Sequence, residues 1–204
     1  MKVKICGMRD MANINAVLDL GPDYMGFIFY KESPRYVGDD FSVRESDVTA
    51  NVGVFVNEST GVILKKLLAI NSEIAQLHGN ETPMQCDDLK SRGIIVIKAF
   101  SIDDSFDFKT LEPYKDVVDY FLFDTKGKLY GGNAKVFNWD KLKEYDQSVP
   151  FFLSGGLNPE NVRNISGLDG LNIYAIDLNS GVELEPGKKS VEKIREVMKA
   201  LDIQ

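Results

Sequence analysis

The sequence is poor in the residues that most often build metal sites and disulfide scaffolds. Its 204 residues include two cysteines and one histidine. Two cysteines far apart in the chain make no disulfide scaffold, and a reducing compartment is the default for such a protein. A lone histidine without clustered cysteines offers too few ligands for a zinc site. We therefore expect neither a disulfide nor a metal.

Long apolar runs are also missing, and positive charge is not in excess. Stretches such as "GIIVIKAF" (93–100) have the length of a strand, and none approaches the roughly 18 residues of a membrane helix. The start "MKVKICGMRD" has no apolar run of the length found in signal sequences. A net charge of −7 argues against non-specific nucleic-acid binding, although a local cluster of amides and cations can still hold a small anion. We expect a cytoplasmic protein with a small-molecule substrate, and neither nucleic acid nor membrane as a partner.

What the sequence does contain is a regular alternation of short apolar strands with helix-like segments. The predicted strands are 3–7, 24–29, 51–57, 74–79, 94–100, 120–125, 150–156 and 173–181. The predicted helices are 10–20, a weak one near 43–49, 60–70, 82–91, 104–114, 138–145, 159–165 and 190–201. Eight strand–helix units, with a repeat of roughly 25 residues, predict an α/β fold: one (β/α)₈ barrel domain over 1–204.

An open doubly wound sheet is the alternative architecture. Such a sheet usually carries a glycine fingerprint for a nucleotide after its first strand. Here "CGMRDM" follows the first strand and matches neither GxGxxG nor a P-loop. This favours the barrel, in which catalytic groups lie at the C-terminal ends of strands and in the loops that follow.

Cys6 ends the first predicted strand and therefore lies at that catalytic rim. A packed apolar thiol is the simpler interpretation, because free cysteine is among the most buried residue types. A catalytic thiol needs thiolate character, which a nearby cation can supply. Strand alternation puts Lys4 on the same face but about two residues deeper, which favours a structural ion pair. Asp177, on the last strand and next to the first in a closed barrel, is the candidate partner.

Asp124 ends the sixth strand, directly after the apolar residues of "FLF". An aspartate at this position serves either as a turn acceptor or as a general acid, and spacing alone leaves both open. Arg35, in the polar loop after the second strand, can bind a carboxylate through two hydrogen bonds, although a solvated arginine is the alternative. His78, the only histidine, is interpreted as a hydrogen-bonded structural residue.

Glycine-bearing turns after strands seven and eight predict an anion site. Loops at these positions form the recurrent phosphate site of such barrels, and two tight turns without a ligand are the alternative. Asn158 and Pro159 further predict that a helix starts directly after the first turn. The candidate phosphate-binding residues are Gly155, Gly156, Asn179, Ser180 and Gly181. The loop 130–139 after strand six is long enough to act as a lid.

Several motifs occur together in one characteristic order. They are "KICGMR", "GFIFYKESPRYV", "VGVFVNES", "QLHGNE", "FLFDT", "LSGGLNPENV" and "DLNSGVELEPGKK". In this order they resemble the phosphoribosylanthranilate isomerase family over essentially the whole chain. The resemblance implies a single-domain (β/α)₈ barrel enzyme of tryptophan biosynthesis that needs no metal or organic cofactor. We expect a monomer or a homodimer.

The resemblance also implies a reaction and roles for the candidate residues. N-(5-phosphoribosyl)anthranilate would undergo an Amadori rearrangement to 1-(2-carboxyphenylamino)-1-deoxyribulose 5-phosphate. Asp124 would be the general acid, Cys6 the general base, and Arg35 the ligand of the anthranilate carboxylate, while the glycine turns would hold the phosphate. Near neutral pH the acid must then hold a proton and the base must have lost one.

One loop departs from the family pattern. The segment after "FLFDT" usually reads GGTGK or GGSGK, whereas here Asn133 and Ala134 follow the two glycines. Two other functions stay open. A barrel similar to indole-glycerol-phosphate synthase would need a lysine–glutamate pair at strand ends, and Lys98 lies in mid-strand. A non-catalytic phosphate-binding barrel would not need both Cys6 and Asp124. Acceptance of the histidine-pathway Amadori substrate also stays open.

Overall fold

Eight parallel strands close into a barrel in the computed structural model, which describes residues 1–43, 46–125 and 138–202. β1 pairs in parallel with β2 on one side and with β8 on the other, so the predicted (β/α)₈ barrel is confirmed. The strands are β1 (Lys2–Cys6), β2 (Tyr24–Ile28), β3 (Ala50–Phe55), β4 (Ile74–Leu77), β5 (Ile95–Ile102), β6 (Tyr120–Thr125), β7 (Phe151–Leu153) and β8 (Ile173–Leu178). Most of the predicted lid 130–139, including Asn133 and Ala134, lies outside the described residues.

The α-helices begin where the sequence places capping side chains. They are α1 (Met11–Leu18), α2 (Thr60–Ala69), α3 (Pro83–Ser91) and α4 (Val191–Ala200). These four helices confirm the ones predicted at 10–20, 60–70, 82–91 and 190–201. Asp10, Thr82 and Ser190 each accept, through the side chain, the backbone N–H three residues further on. Such caps satisfy N–H groups that have no partner within the helix.

Three of the predicted helices in the second half of the barrel, those at 104–114, 138–145 and 159–165, are short 3-10 helices instead. They span Phe108–Tyr114, Trp139–Glu144 and Val162–Leu168. Pro113 lies inside the first of these helices. Because proline has no N–H to donate, it interrupts the backbone hydrogen bonds of a regular α-helix. The prediction that Asn158 and Pro159 start a helix is wrong. The Asn158 side chain instead accepts the N–H groups of Glu160 and Asn161 and forms a turn.

The weak helix predicted near 43–49 is also wrong in the part of that segment that the structure describes. Val43 and residues 46–49 have no helical conformation. The Ser46 hydroxyl accepts the N–H groups of Val48 and Thr49, and such local bonds compete with helix formation. The segment reaches β3 as an irregular connection.

A hairpin that the sequence did not predict follows β8. The predicted strand 173–181 stops at Leu178, and a single 3-10 turn, Ser180–Val182, leads into β9 (Glu183–Glu185) and β10 (Lys188–Lys189). These two strands pair antiparallel and connect β8 to α4. The hairpin lies at the C-terminal end of the barrel, where the candidate site residues were expected.

Apolar side chains fill both sides of the barrel wall. Residues such as Val3, Ile5 and Phe121 pack between the strands and the helices. Alternate positions face inward and form a separate cluster of Val52, Ile97, Ala99, Leu122, Phe152 and Ala175. Fully burying one such side chain stabilises the fold by roughly 1.5–3 kcal/mol. Within the described ranges, no helix is both long and apolar enough to cross a lipid bilayer.

Above this apolar layer the interior of the barrel turns polar. Lys4 is 0% exposed, and its Nζ lies 2.7 Å from Oδ1 of Asp177, so the predicted ion pair is confirmed. The two residues face each other in the register of β1 and β8. Ser154 Oγ donates to the other carboxylate oxygen of Asp177 at 3.2 Å.

A second buried ion pair lies at the end of β4. Lys98 Nζ is 3.1 Å from Oε2 of Glu81 and also donates to the carbonyls of Leu77, Gly79 and Ala99. Glu81 in turn accepts the N–H groups of Asn57 and Gly79. Lys98 therefore holds the loop after β4 through several contacts.

We predict that Glu81→Ala lowers the free energy of unfolding by about 3–5 kcal/mol, because it leaves the Lys98 ammonium buried without its counter-ion. Urea unfolding followed by circular dichroism measures this change. The matched control is Glu144→Ala, which removes an exposed partner of Lys141 and should leave the midpoint nearly unchanged. Equal effects of the two substitutions would contradict a structural role for the buried pair.

Candidate active site

A cavity opens at the C-terminal end of the barrel, where strand ends and the loops after them meet. Six of the predicted site residues line this cavity: Cys6, Asp124, Gly155, Gly156, Asn179 and Ser180. Arg35 and Gly181 are not among the described residues that line the cavity. The closed barrel thus brings together residues from the first, sixth, seventh and eighth strands, as the rim rule predicts.

Cys6 is held at the end of β1 with its thiol against the cavity. It is 2% exposed and packs with Ile28 and Val54. It faces Gly26 in the register of β1 and β2, and a methyl group at Gly26 would lie only 2.8 Å from Sγ. The absence of a side chain at position 26 therefore makes room for the sulfur.

The electrostatic environment of Cys6 combines opposing influences. Burial raises the pKa of the Cys6 thiol above its usual value of 9.0. The Lys4 ammonium opposes this shift, Asp177 reinforces it, and Lys189 again opposes it. Burial outweighs both cations, so the pKa of the thiol in the protein alone shifts upward, which is opposite to the direction that the resemblance implies for a base.

Asp124 ends β6 and is 4% exposed. Its Oδ1 accepts the N–H of Thr125 at 2.8 Å, and its Oδ2 lies 3.5 Å from Nε2 of His78. The amide nitrogen of Gln76 lies 2.8 Å from Nδ1 of His78. An amide nitrogen can only donate, so Nδ1 accepts in this arrangement, whereas Nε2 makes no hydrogen bond within the described residues.

His78 and Gln76 are cavity residues that the sequence interpretation missed. His78 was predicted to be a structural residue, yet it lies beside the candidate acid. The signal was available: His78 directly follows β4, at the same rim position that singled out Cys6 and Asp124.

The two glycine turns form one wall of the cavity. Gly155 and Gly156 have φ values of +94° and +72°, which residues with side chains rarely adopt. A methyl group at Gly181 would lie 1.9 Å from the carbonyl oxygen of Leu157, so Gly181 lets the turn after β8 pack against the turn after β7. Gly181 therefore supports this wall, whereas Asn179 and Ser180 face the cavity.

Arg35 is buried and paired with a protein carboxylate. Its Nε and Nη2 donate to Oε1 and Oε2 of Glu183 at 2.8 and 2.6 Å, so the interpretation as a solvated arginine is wrong. Lys189 Nζ bonds to Glu183 at 2.6 Å and to Oδ1 of Asn179 at 2.7 Å. Glu183 and Lys189 belong to the hairpin β9–β10, and their roles were not predicted because the hairpin itself was not predicted.

These charged groups shift the pKa values of one another. Burial acts to raise the pKa of Glu183, but Arg35 and Lys189 hold it below its usual value. Burial lowers the pKa of Lys189 to about 8, and Glu183 opposes that change. Among the described residues, no group of three or more His, Cys, Asp or Glu side chains is placed to hold a metal ion.

Comparison with known proteins gives one consistent result. The family model described as N-(5'phosphoribosyl)anthranilate (PRA) isomerase matches residues 3–200. A curated protein of Phocaeicola vulgatus, named N-(5'-phosphoribosyl)anthranilate isomerase, is 44% identical over 189 residues, which cover 93% of this chain and 92% of the relative.

Solved structures agree with the sequence matches. The crystal structure of phosphoribosyl anthranilate isomerase from Thermotoga maritima is 35% identical, with a TM-score of 0.87 over 99% of this chain and 98% of that one. A phosphoribosyl anthranilate isomerase in complex with reduced 1-(o-carboxyphenylamino)-1-deoxyribulose 5-phosphate is 34% identical, with a TM-score of 0.84 and the same coverage. Sequence, fold and rim geometry thus agree, and the chain belongs to the phosphoribosylanthranilate isomerase family.

Proposed function

We propose that this protein converts N-(5-phosphoribosyl)anthranilate into 1-(2-carboxyphenylamino)-1-deoxyribulose 5-phosphate, a step of tryptophan biosynthesis. The observation that carries the proposal is that Cys6 and Asp124 line one cavity with the glycine turns, in a chain of this family. A relative of known structure holds a reduced form of this product, which supports the assignment of the substrate.

Asp124 acts as the general acid in the first step. It gives a proton to the furanose ring oxygen, the bond between C1 and that oxygen breaks, and the nitrogen lone pair forms an iminium with C1. His78 Nε2 lies 3.5 Å from Oδ2 of Asp124 and borders the carboxyl group in the cavity. General acid catalysis of this kind contributes on the order of 100-fold to 10,000-fold to a rate.

Cys6 acts as the general base in the second step. Its thiolate removes the proton at C2, the electrons of that C–H bond form a C1–C2 double bond, and the iminium nitrogen accepts the displaced pair. The resulting enolamine tautomerises when C1 gains a proton and the C2 hydroxyl loses one, which leaves a ketone. A thiol with a raised pKa is ionised less often but is a stronger base when ionised.

The phosphate and the anthranilate carboxylate of the substrate bind to separate groups. The phosphate lies against the turns of Gly155, Gly156, Asn179 and Ser180, where glycine lets backbone amides approach an anion. Arg35 binds the anthranilate carboxylate. Glu183 occupies the Nε edge of its guanidinium, and within the described residues no hydrogen bond engages Nη1, which leaves that side for the substrate.

We predict that Cys6→Ser lowers kcat by on the order of 100-fold or more, because a hydroxyl is a far weaker base than a thiolate. A coupled assay that follows the loss of anthranilate-like fluorescence measures the rate. Cys86→Ser is the matched control, since Cys86 is a buried thiol on α3 away from the cavity. Turnover of Cys6→Ser equal to that of the control would remove Cys6 from the mechanism.

We predict that Asp124→Asn also lowers kcat by on the order of 100-fold or more, because an amide cannot protonate the ring oxygen. Binding of inorganic phosphate, measured by calorimetry, should stay as in the wild type, since the phosphate turns do not change. Asp116→Asn, at an exposed position, is the control. If Asp124→Asn rearranged the substrate at the normal rate, the acid would lie elsewhere.

We predict that Arg35→Lys raises KM by on the order of tenfold or more, because lysine cannot offer two parallel N–H donors to a carboxylate. The change in kcat should be smaller. Arg9→Lys is the control, because Arg9 is an exposed arginine whose Nη1 donates to the carbonyl of Pro34. An unchanged KM for Arg35→Lys would assign the carboxylate to another residue.

A further inference from the structure

The ion pair between Lys4 and Asp177 is poorly explained as a device for stability alone. Both side chains are buried inside the barrel, directly above a layer that apolar residues fill completely. Removing two charges from water costs several kcal/mol, and well-packed apolar replacements of buried pairs are often neutral or stabilising. Packing alone therefore does not explain why an ion pair lies at this position.

The geometry places the Lys4 ammonium beside the Cys6 sulfur. The two residues share the inward face of β1, and Gly26 on β2 lies next to both. A methyl group at Gly26 would lie 2.8 Å from Sγ of Cys6 and 3.1 Å from Nζ of Lys4. The sulfur and the ammonium therefore converge on the same small space above a residue that has no side chain.

We infer that Lys4 is a positioning residue that stabilises the thiolate of Cys6, and that Asp177 limits this effect by holding the same ammonium. The catalytic meaning of this inference rests on the proposed function, whereas the interaction itself belongs to the protein and needs no substrate. It extends the sequence interpretation, in which Lys4 is a deeper structural charge paired with an acid.

The balance of charges around Cys6 supports this inference. Burial raises the pKa of the Cys6 thiol, and Lys4 is the strongest influence in the opposite direction. Burial also acts to lower the pKa of Lys4, but Asp177 and Cys6 outweigh burial and raise it. Lys4 therefore keeps its charge to a higher pH than an ordinary lysine.

Other charged groups face the thiol from neighbouring elements. Lys189 on β10 lowers the thiol pKa as well, but its ammonium is bound to Glu183 and has a pKa of about 8, so this influence fades as the pH rises above that value. His78 and Asp124 line the same cavity from the ends of β4 and β6. These groups also affect any titration of Cys6. The test therefore compares the direction in which the Cys6 pKa changes from one variant to the next.

The test is a titration of Cys6 by nuclear magnetic resonance, with isotopically labelled cysteine and without substrate. Cys86→Ala serves as the background, which leaves Cys6 as the only labelled residue. Lys4→Met should raise the thiol pKa by about 1 unit or more, because a nearby cation is lost. Asp177→Asn should lower it, because an anion is lost. The double variant should raise it, but by less than Lys4→Met alone.

Opposite shifts for the two partners are a result that a purely structural ion pair would not give. The double variant leaves neither Lys4 nor Asp177 as an unpaired charge in the barrel. The inference predicts the direction of the Cys6 pKa shift for each of the three variants, so one variant that folds is enough for the test. Lys98→Met is the control: it removes another buried lysine and should cost stability without moving the Cys6 titration. An unchanged titration in a folded Lys4→Met or double variant would overturn the inference. If Cys6→Ser kept full turnover while these shifts occurred, only the proposed function would fail.

Discussion

The pairing of β1 with β8 is the contact on which the rest of the molecule depends. It closes the barrel and places Lys4 opposite Asp177, although 173 positions separate them in the sequence. The same closure brings Cys6, at the end of β1, to the turn that follows β8, where Asn179 and Ser180 line the cavity with it. Fold and site therefore form together, because an open sheet would leave the thiol without its neighbours.

Closure of the barrel also buries ionisable side chains, whose charged forms are unfavourable away from water. A buried thiol resists ionisation, and a buried lysine resists protonation. Placing the two together, with Asp177 behind the lysine, lets each charged form stabilise the other. Close to Gly7, which follows Cys6, Arg35, Glu183 and Lys189 form a second buried charge group around the hairpin. The balance between burial and these cations governs the pKa of the Cys6 thiol and, under the proposed function, the strength of the base.

Much of this arrangement could be predicted from the sequence because barrels obey simple periodic rules. Alternation along β1 and the adjacency of first and last strands were enough to pair Lys4 with Asp177. The rim rule was enough to gather Cys6, Asp124 and the turn glycines in one place. Local side-chain hydrogen bonds were harder to foresee: the hydroxyl of Ser46 and the amide of Asn158 turned predicted helical segments into turns. The hairpin β9–β10 was missed because its strands are only two and three residues long, and its contacts Glu183 and Lys189 were missed with it.

The central claim is that this cavity carries out a rearrangement and does not merely bind a phosphorylated ligand. The most direct measurement supplies freshly generated N-(5-phosphoribosyl)anthranilate to the wild-type protein and follows both its fluorescence and the ketose product. The account predicts that the fluorescence falls in proportion to protein concentration while 1-(2-carboxyphenylamino)-1-deoxyribulose 5-phosphate accumulates in equal amount. Binding of the substrate without any acceleration of its conversion would contradict the account and leave a phosphate-binding barrel without this activity.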